Sequence, residues 1–252
     1  MQYLPLRKVN NLHMHHRKTL LIIYLISVIF SCNEELKITF SDTNMTTPNN
    51  KLVEVNIPKA SGNSVIANQI NDEINKTVVA ALQIGEQNAI TSKTIEESIT
   101  LFNEEYHVFN ADFPDVSQPW EAQIDGEIMF QSPEIISISI TSYMNTGGAH
   151  GNTQISFLNF NASTGKRIQN SDLIKNKEAF KTIAESYFKG AVTEDDMLFD
   201  PDNFQLPANM GFTEEGLILL YNTYEVAPYS TGIIDFTIPI EEVSDFLAFN
   251  GS

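Results

Sequence analysis

The 252-residue chain has little cysteine, little tryptophan and little positive charge, with one Cys, one Trp and 15 Lys plus Arg. A single Cys excludes an intramolecular disulfide and any Cys-rich zinc or iron–sulfur centre, so stability must come from a packed core. Against the 15 basic residues stand 32 acidic ones, a formal charge of −17, which argues against a grip on phosphate backbones or anionic lipid. No nucleic acid is therefore expected as a partner. No apolar run reaches the roughly 20 residues that a membrane-crossing helix needs. With 42% hydrophobic and 19% charged residues, 12 Gly and 10 Pro, the composition is globular, neither disordered nor collagenous.

What is there begins with residues 20–30 (LLIIYLISVIF), uncharged, preceded by Arg17 and Lys18 and followed by Ser31 and Cys32. This has the length of the apolar region of a signal peptide, so residues 1–31 are expected to be removed. The order Ile29, Phe30, Ser31, Cys32 resembles a bacterial lipobox, and the one Cys of the chain sits where a diacylglyceryl group would be attached. Lipidation at Cys32 is the expected modification. Met14 offers a second start just before His15, His16, Arg17 and Lys18. Cleavage would remove four of the 15 basic residues and none of the 32 acidic ones, leaving 11 against 32. It would also leave two histidines, His107 and His150. Asn33 rather than Asp follows the Cys, from which a place at the outer membrane, on its periplasmic or surface face, is expected.

Residues 32–50 end in a Thr, Pro and Asn cluster and read as a tether. Val53, Val55 and Ile57 alternate with polar residues and predict a half-buried strand. Ile66, Ile70, Ile74, Val78, Ala81 and Leu82 form a helical stripe with Gly85 beyond it, and Thr94 with Glu97 has capping-box spacing ahead of Ile95, Ile99, Phe102 and Tyr106. The period then changes to two. Trp120, Ala122, Ile124, Ile128 and Phe130 are expected on one sheet face, followed by strands around Ile136, Ile138 and Ile140 and around Ile155 to Phe160, an antiparallel meander. A third helix carries Phe180, Ile183, Ala184, Tyr187 and Phe188 up to Gly190; strands are predicted at 216–221 and 233–238 and a last helix at 242–249. The fold class is α+β, antiparallel sheets with helices packed on one face, in two similar-sized halves, residues 51–145 and 146–252.

GGAHGN at 147–152, SFLNFNASTGKRI with its turn NASTGK, NFQL at 203–206, GLILLYNTYEVAPYSTG at 216–232 and IPIEEV at 238–243 follow in an order that resembles the C-terminal domain of unknown function of the lysozyme-binding anti-sigma factor RsiV and of relatives of the peptidoglycan deacetylase PdaC. Residues 51–145 resemble the PdaC-type accessory domain that precedes it. The resemblance implies an α+β fold and a cell-envelope setting. It brings no enzyme with it, because in the deacetylase catalysis belongs to a separate module whose His and Asp pattern is missing from this chain.

His150 in GGAHG could be presented with Tyr143 by a Gly147–Gly148 turn to a glycan or protein ligand; the plainer reading is an imidazole bonded to its own loop. Two histidines are too few for the three ligands and base of a zinc hydrolase, and no HExxH occurs. Ser230 is not in a GxSxG elbow. The acidic residues Glu194, Asp195, Asp196, Asp200 and Asp202 lack the Gly and terminal Glu of an EF-hand and read as a solvated loop. Tyr221, Tyr224 and Tyr229 with Pro228 either form an aromatic platform or cover the sheet. The expectation is a lipid-anchored envelope protein without cofactor, metal or catalysis. Its expected partner is a lysozyme-like basic protein or a peptidoglycan fragment, met through Tyr143, Gly147, Gly148, His150, Tyr224 and Tyr229. An envelope hydrolase or esterase using His150, and a purely structural lipoprotein, are the alternatives.

Overall fold

In a computed structural model, residues 38–47, 51–85, 91–115, 119–193 and 196–248 are described. The expected signal segment at 1–31, Cys32, Glu194 and Asp195 lie outside them. Among the described residues nine strands form two sheets. The larger has the order β1 (Ile38–Thr46), β2 (Val53–Gly62), β3 (Glu121–Gln131), β4 (Ile135–Asn145), β5 (Asn152–Asn161) and β6 (Arg167–Ile168). The smaller joins β7 (Asn209–Phe212), β8 (Gly216–Tyr221) and β9 (Ile234–Pro239), all antiparallel.

β2 and β3 pair in parallel, so the chain must cross over between them, and it does so through α1 (Ser64–Ala81) and α2 (Ile95–Asp112). The other pairs of the large sheet are antiparallel. Asn63 caps α1 by accepting from the amides of Val65 and Ile66. Thr94 and Glu97 close the capping box of α2, the Glu97 amide donating to Thr94 and the Thr94 amide to the Glu97 carboxylate. Both helices share one core with Val53, Val55, Ile124, Ile138, Leu158 and Phe160 on one face of the sheet.

The tether reading fails at Ile38–Thr46. Residues 38–46 are β1, paired with β2 along their whole length. At the sheet edge β1 has a strand on one flank only, so Ile38, Phe40 and Met45, packed on the first core, suffice to hold it while Thr39, Ser41, Asn44 and Thr46 are exposed. The expected shared face of β3 also needs correcting. The register with β4 shifts between Ile128 and Phe130, a bulge that sends Ile128 to the helix-covered core and turns Phe130 against Phe212 in the second one. The large sheet runs on past residue 145, where the sequence placed the boundary between halves, because β5 and β6 belong to it.

The second core joins the small sheet, α4 (Lys177–Ala191) and the back of β4, with Ile135, Phe180, Phe188, Leu217, Leu219, Phe236 and Ile238 buried in it. A short α3 (Asn170–Leu173) precedes it. The terminal helix is shorter than expected: α5 (Ile240–Val243) passes into a 3-10 turn at Ser244–Phe246. Between the two sheets a buried polar chain accompanies the apolar contact of Phe130 with Phe212. Ser137 donates to Asn159 Oδ1 at 2.8 Å, Asn159 Nδ2 donates to the Met210 carbonyl at 2.8 Å, and the Phe212 amide donates to Ser137 Oγ at 3.0 Å. Ser137 and Asn159 are fully buried, so every partner in this chain is needed.

Candidate functional site

β6 covers only the end of β5, opposite Asn159 and Phe160, which leaves the backbone of Ile155 and Phe157 without a strand on that side. Two asparagine side chains take the place of one. Asn209 Oδ1 accepts from the Phe157 amide at 2.7 Å and its Nδ2 donates to the Ile155 carbonyl at 2.6 Å. Asn222 Oδ1 accepts from the Ile155 amide at 2.8 Å and its Nδ2 donates to the same carbonyl at 3.0 Å. One residue further, Thr223 donates to Asn152 Oδ1 at 3.0 Å. The segment after β8 is thereby lashed to the start of β5, which carries the GGAHG turn.

Those lashings bring four of the six predicted ligand-binding residues together. The His150 ring stacks on Tyr229, centroids 3.8 Å apart and planes 20° from parallel. Tyr224 tilts against Tyr229 at 5.7 Å. The Gly151 carbonyl accepts from Tyr229 Oη at 2.8 Å and lies 2.9 Å from His150 Nδ1. A carbonyl can only accept, so Nδ1 carries the proton, and in the neutral imidazole Nε2 is the acceptor nitrogen. The phenol end of Tyr143 packs on Gly151, where an added Cβ would stand 2.3 to 2.4 Å from Cε2, Cζ and Oη. The imidazole is thus bonded to its own loop, as the plainer reading held, and at the same time exposed on a tyrosine face.

The two glycines do different things. Gly147 (φ +83°) places its backbone over the Trp120 indole and donates to Asn145 Oδ1, which is a packing role. Trp120 itself is buried among Phe102, Tyr106 and Phe109. Gly148 is exposed and its added Cβ would meet nothing closer than its own loop.

Sequence reasoning missed Asn222 and Thr223, although they sit inside the YNTY motif, and missed two apolar residues beside it. Met197 and Phe199 are 61% and 60% exposed, close to the 57% of Tyr224. Their segment lies along the tyrosine loop, the Phe199 amide donating to the Val226 carbonyl and Thr231 Oγ1 to the Asp196 carbonyl. Met197 and Tyr224 both hold positive φ without being glycine, at +50° and +68°. Backbone strain of this kind costs on the order of 1 kcal/mol or more and is held by the surrounding structure. Asp196 accepts from the Thr193 amide and hydroxyl, and Asp200 from Asn203, so these carboxylates order the loop. Behind the surface a cavity of about 190 Å³ is lined by Phe188, Leu198, Phe199, Phe204 and Tyr221. Tyr221 donates to the Gln205 carbonyl at 2.5 Å, and burial, with Glu225 nearby, pushes its hydroxyl pKa up. Among the described residues no three His, Cys, Asp or Glu side chains group as metal ligands. What the arrangement offers is an exposed aromatic and thioether surface, one imidazole acceptor, and neighbouring carboxylates at Asp196, Asp200 and Glu225.

Fold and site together define an α+β protein in which a helix-covered mixed sheet supports a smaller sheet and an aromatic loop cluster. Residues 45–153 match the family model described as Deacetylase PdaC, and residues 167–241 match that of a Protein of unknown function, DUF3298. The chain carries a PdaC-type domain followed by a DUF3298 domain. Among solved structures it is similar to a DUF3298 family protein from Pseudomonas aeruginosa PAO1 (19% identity, TM-score 0.58, covering 86% of this chain and 97% of that one). It is also similar to a member of the same family from Bacteroides fragilis NCTC 9343 (17% identity, TM-score 0.62, covering 86% and 95%). No curated protein matches the chain.

Proposed function

We propose that this is a lipid-anchored accessory protein of the cell envelope that binds a basic, lysozyme-like protein without transforming it. The observation that carries the reading is the cluster of exposed Tyr224 and His150 on half-buried Tyr229, flanked by exposed Met197 and Phe199 and locked from beneath by Asn222, Tyr143 and the Gly151 carbonyl. Ordered tyrosines supply contact area at low entropic cost, and an acidic body draws in a cationic partner. The anchor is Cys32, and the expected site is the outer membrane. Mass spectrometry of the membrane fraction should find a mature chain starting at an acylated Cys32; an intact N-terminus in soluble extract would remove the anchor.

Pull-down with lysozyme and with soluble muropeptides at low salt tests the ligand. Capture of lysozyme supports the reading, whereas capture of muropeptides alone would move it to peptidoglycan. Failure of both leaves a structural lipoprotein. The second reading, an envelope hydrolase or esterase, draws on the Nε2 acceptor of His150. It predicts turnover of acetylated glycans that disappears in His150→Ala, and wild-type protein without turnover on such a panel would dismiss it.

A further inference from the structure

The core-facing rows of β4 and β5 change character half way along. Ile136, Ile138 and Ile140 are followed on the same face by Ser142, and Phe160 and Leu158 by Ser156 and Gln154. The register sets Ile140 opposite Ser156 and Ser142 opposite Gln154, so the polar positions adjoin across the two strands. The second half of α1 forms the opposite wall through Glu73, Lys76 and Thr77, and the space between is an open groove of about 330 Å³. That volume lies at the small end of the range for ligand sites.

Arg167 enters this groove from β6. The turn before it is fixed, because Gly165 (φ +74°) sits so close to α1 that an added Cβ would stand 2.6 Å from the Ile66 carbonyl oxygen. The Arg167 side chain is only 30% exposed, yet its guanidinium is poorly satisfied. Nη2 donates to the Phe157 carbonyl at a long 3.4 Å, and Nη1 stands 3.9 Å from Glu73 Oε2. The other Glu73 oxygen is taken by Lys76 at 2.7 Å. A guanidinium has five donors in a fork that matches a carboxylate, and burial, which lowers its pKa here, makes unused donors costly. Two cations against one carboxylate leave the groove with a single net positive charge, in a chain of net charge −17. A monoanion balances that charge; a phosphate dianion would meet Glu73 as a repulsive neighbour. The serine hydroxyls and the Gln154 amide are suited to a neutral peptide group next to the carboxylate.

We propose that the groove between α1 and the β4–β5 rows binds a small carboxylate ligand, such as the C-terminal end of a short peptide. Arg167 holds the carboxylate, and Ser142, Gln154 and Ser156 hold the adjoining amide. The site shares no residue with the aromatic cluster, so it stands or falls independently of protein binding there. The test is an amide-resolved NMR titration of the full-length chain in detergent with N-acetyl-alanyl-alanine, its C-terminal amide, and inorganic phosphate. The free acid should give saturable shifts at Ser142, Gln154, Ser156 and Arg167, and the amide none. Arg167→Gln should weaken binding by at least about tenfold, the loss expected for a charged hydrogen bond, and Arg167→Lys by less. If Arg167→Gln does not fold, Ser156→Leu decides: it fills the groove from the sheet while leaving the guanidinium, and it should abolish the shifts. No saturable shift with the acid, equal binding of the amide, or tighter binding of phosphate would overturn the proposal.

Discussion

A methyl group at position 151 would land on the ring of Tyr143. Gly151 holds no positive φ, so alanine meets no backbone strain there, and the cost falls on the tyrosine, which must swing out. Gly151→Ala is therefore expected to lower stability by only about 1–2 kcal/mol, at the mild end of overpacking, but to displace Tyr143 and the Gly151 carbonyl that holds Tyr229, and with them partner binding. Urea unfolding alongside a binding titration measures the two separately. A loss of stability above that range without loss of binding would contradict the role given to Gly151. At this scale the sequence was informative about residue type and silent about partners. His150, Tyr224 and Tyr229 stand out in their motifs, but the bond from Tyr229 to the Gly151 carbonyl spans 78 positions, and no local pattern encodes it. Gly147 and Gly148 look alike in the sequence, yet only packing against Trp120 reveals that Gly147 serves the core.

Strands and helices show the same division between local and distant causes. The capping box of α2 is legible because Thr94 and Glu97 are three residues apart and satisfy each other. Thr94→Ala should cost about 1 kcal/mol, read as a shift of the urea midpoint without change of slope. β1 was illegible because an edge strand needs so little apolar surface that its Thr, Ser and Asn content resembles a linker. The serines of β4 misled in another way: the alternation Ile-Ser-Ile-Ser-Ile suggests a wet face, whereas Ser137 is fully buried and bonded across to Asn159 and β7. Asn159→Ala strands Ser137 and the Met210 carbonyl at once, and a loss of about 3 kcal/mol is expected from two unpaired buried groups. A thermal shift no larger than that of Thr94→Ala would argue that water takes over the bonds. The bulge between Ile128 and Phe130 belongs here too, since a single extra residue reversed the face of Phe130 without any mark in the polarity pattern.

For the whole molecule, two cores and a polar seam fix one end of the smaller sheet against β5, and the aromatic cluster is built where asparagines substitute for a missing strand. The acidic excess was plain from composition; where it would matter was not, because Asp196 and Asp200 come beside the tyrosine loop only through folding, joining Glu225, which follows Tyr224 in the chain. A partner drawn by that charge must respond to salt, whereas one held by stacking alone would not. The decisive measurement is therefore a calorimetric titration of lysozyme into the full-length chain and into its Tyr224→Ala, Tyr229→Ala double variant at low and high ionic strength. The account predicts saturable binding by the native chain, weakened by on the order of tenfold between about 0.05 and 0.5 M salt, and no measurable heat with the double variant. Binding that is equal in both proteins, or absent from the native chain at low salt, would contradict it.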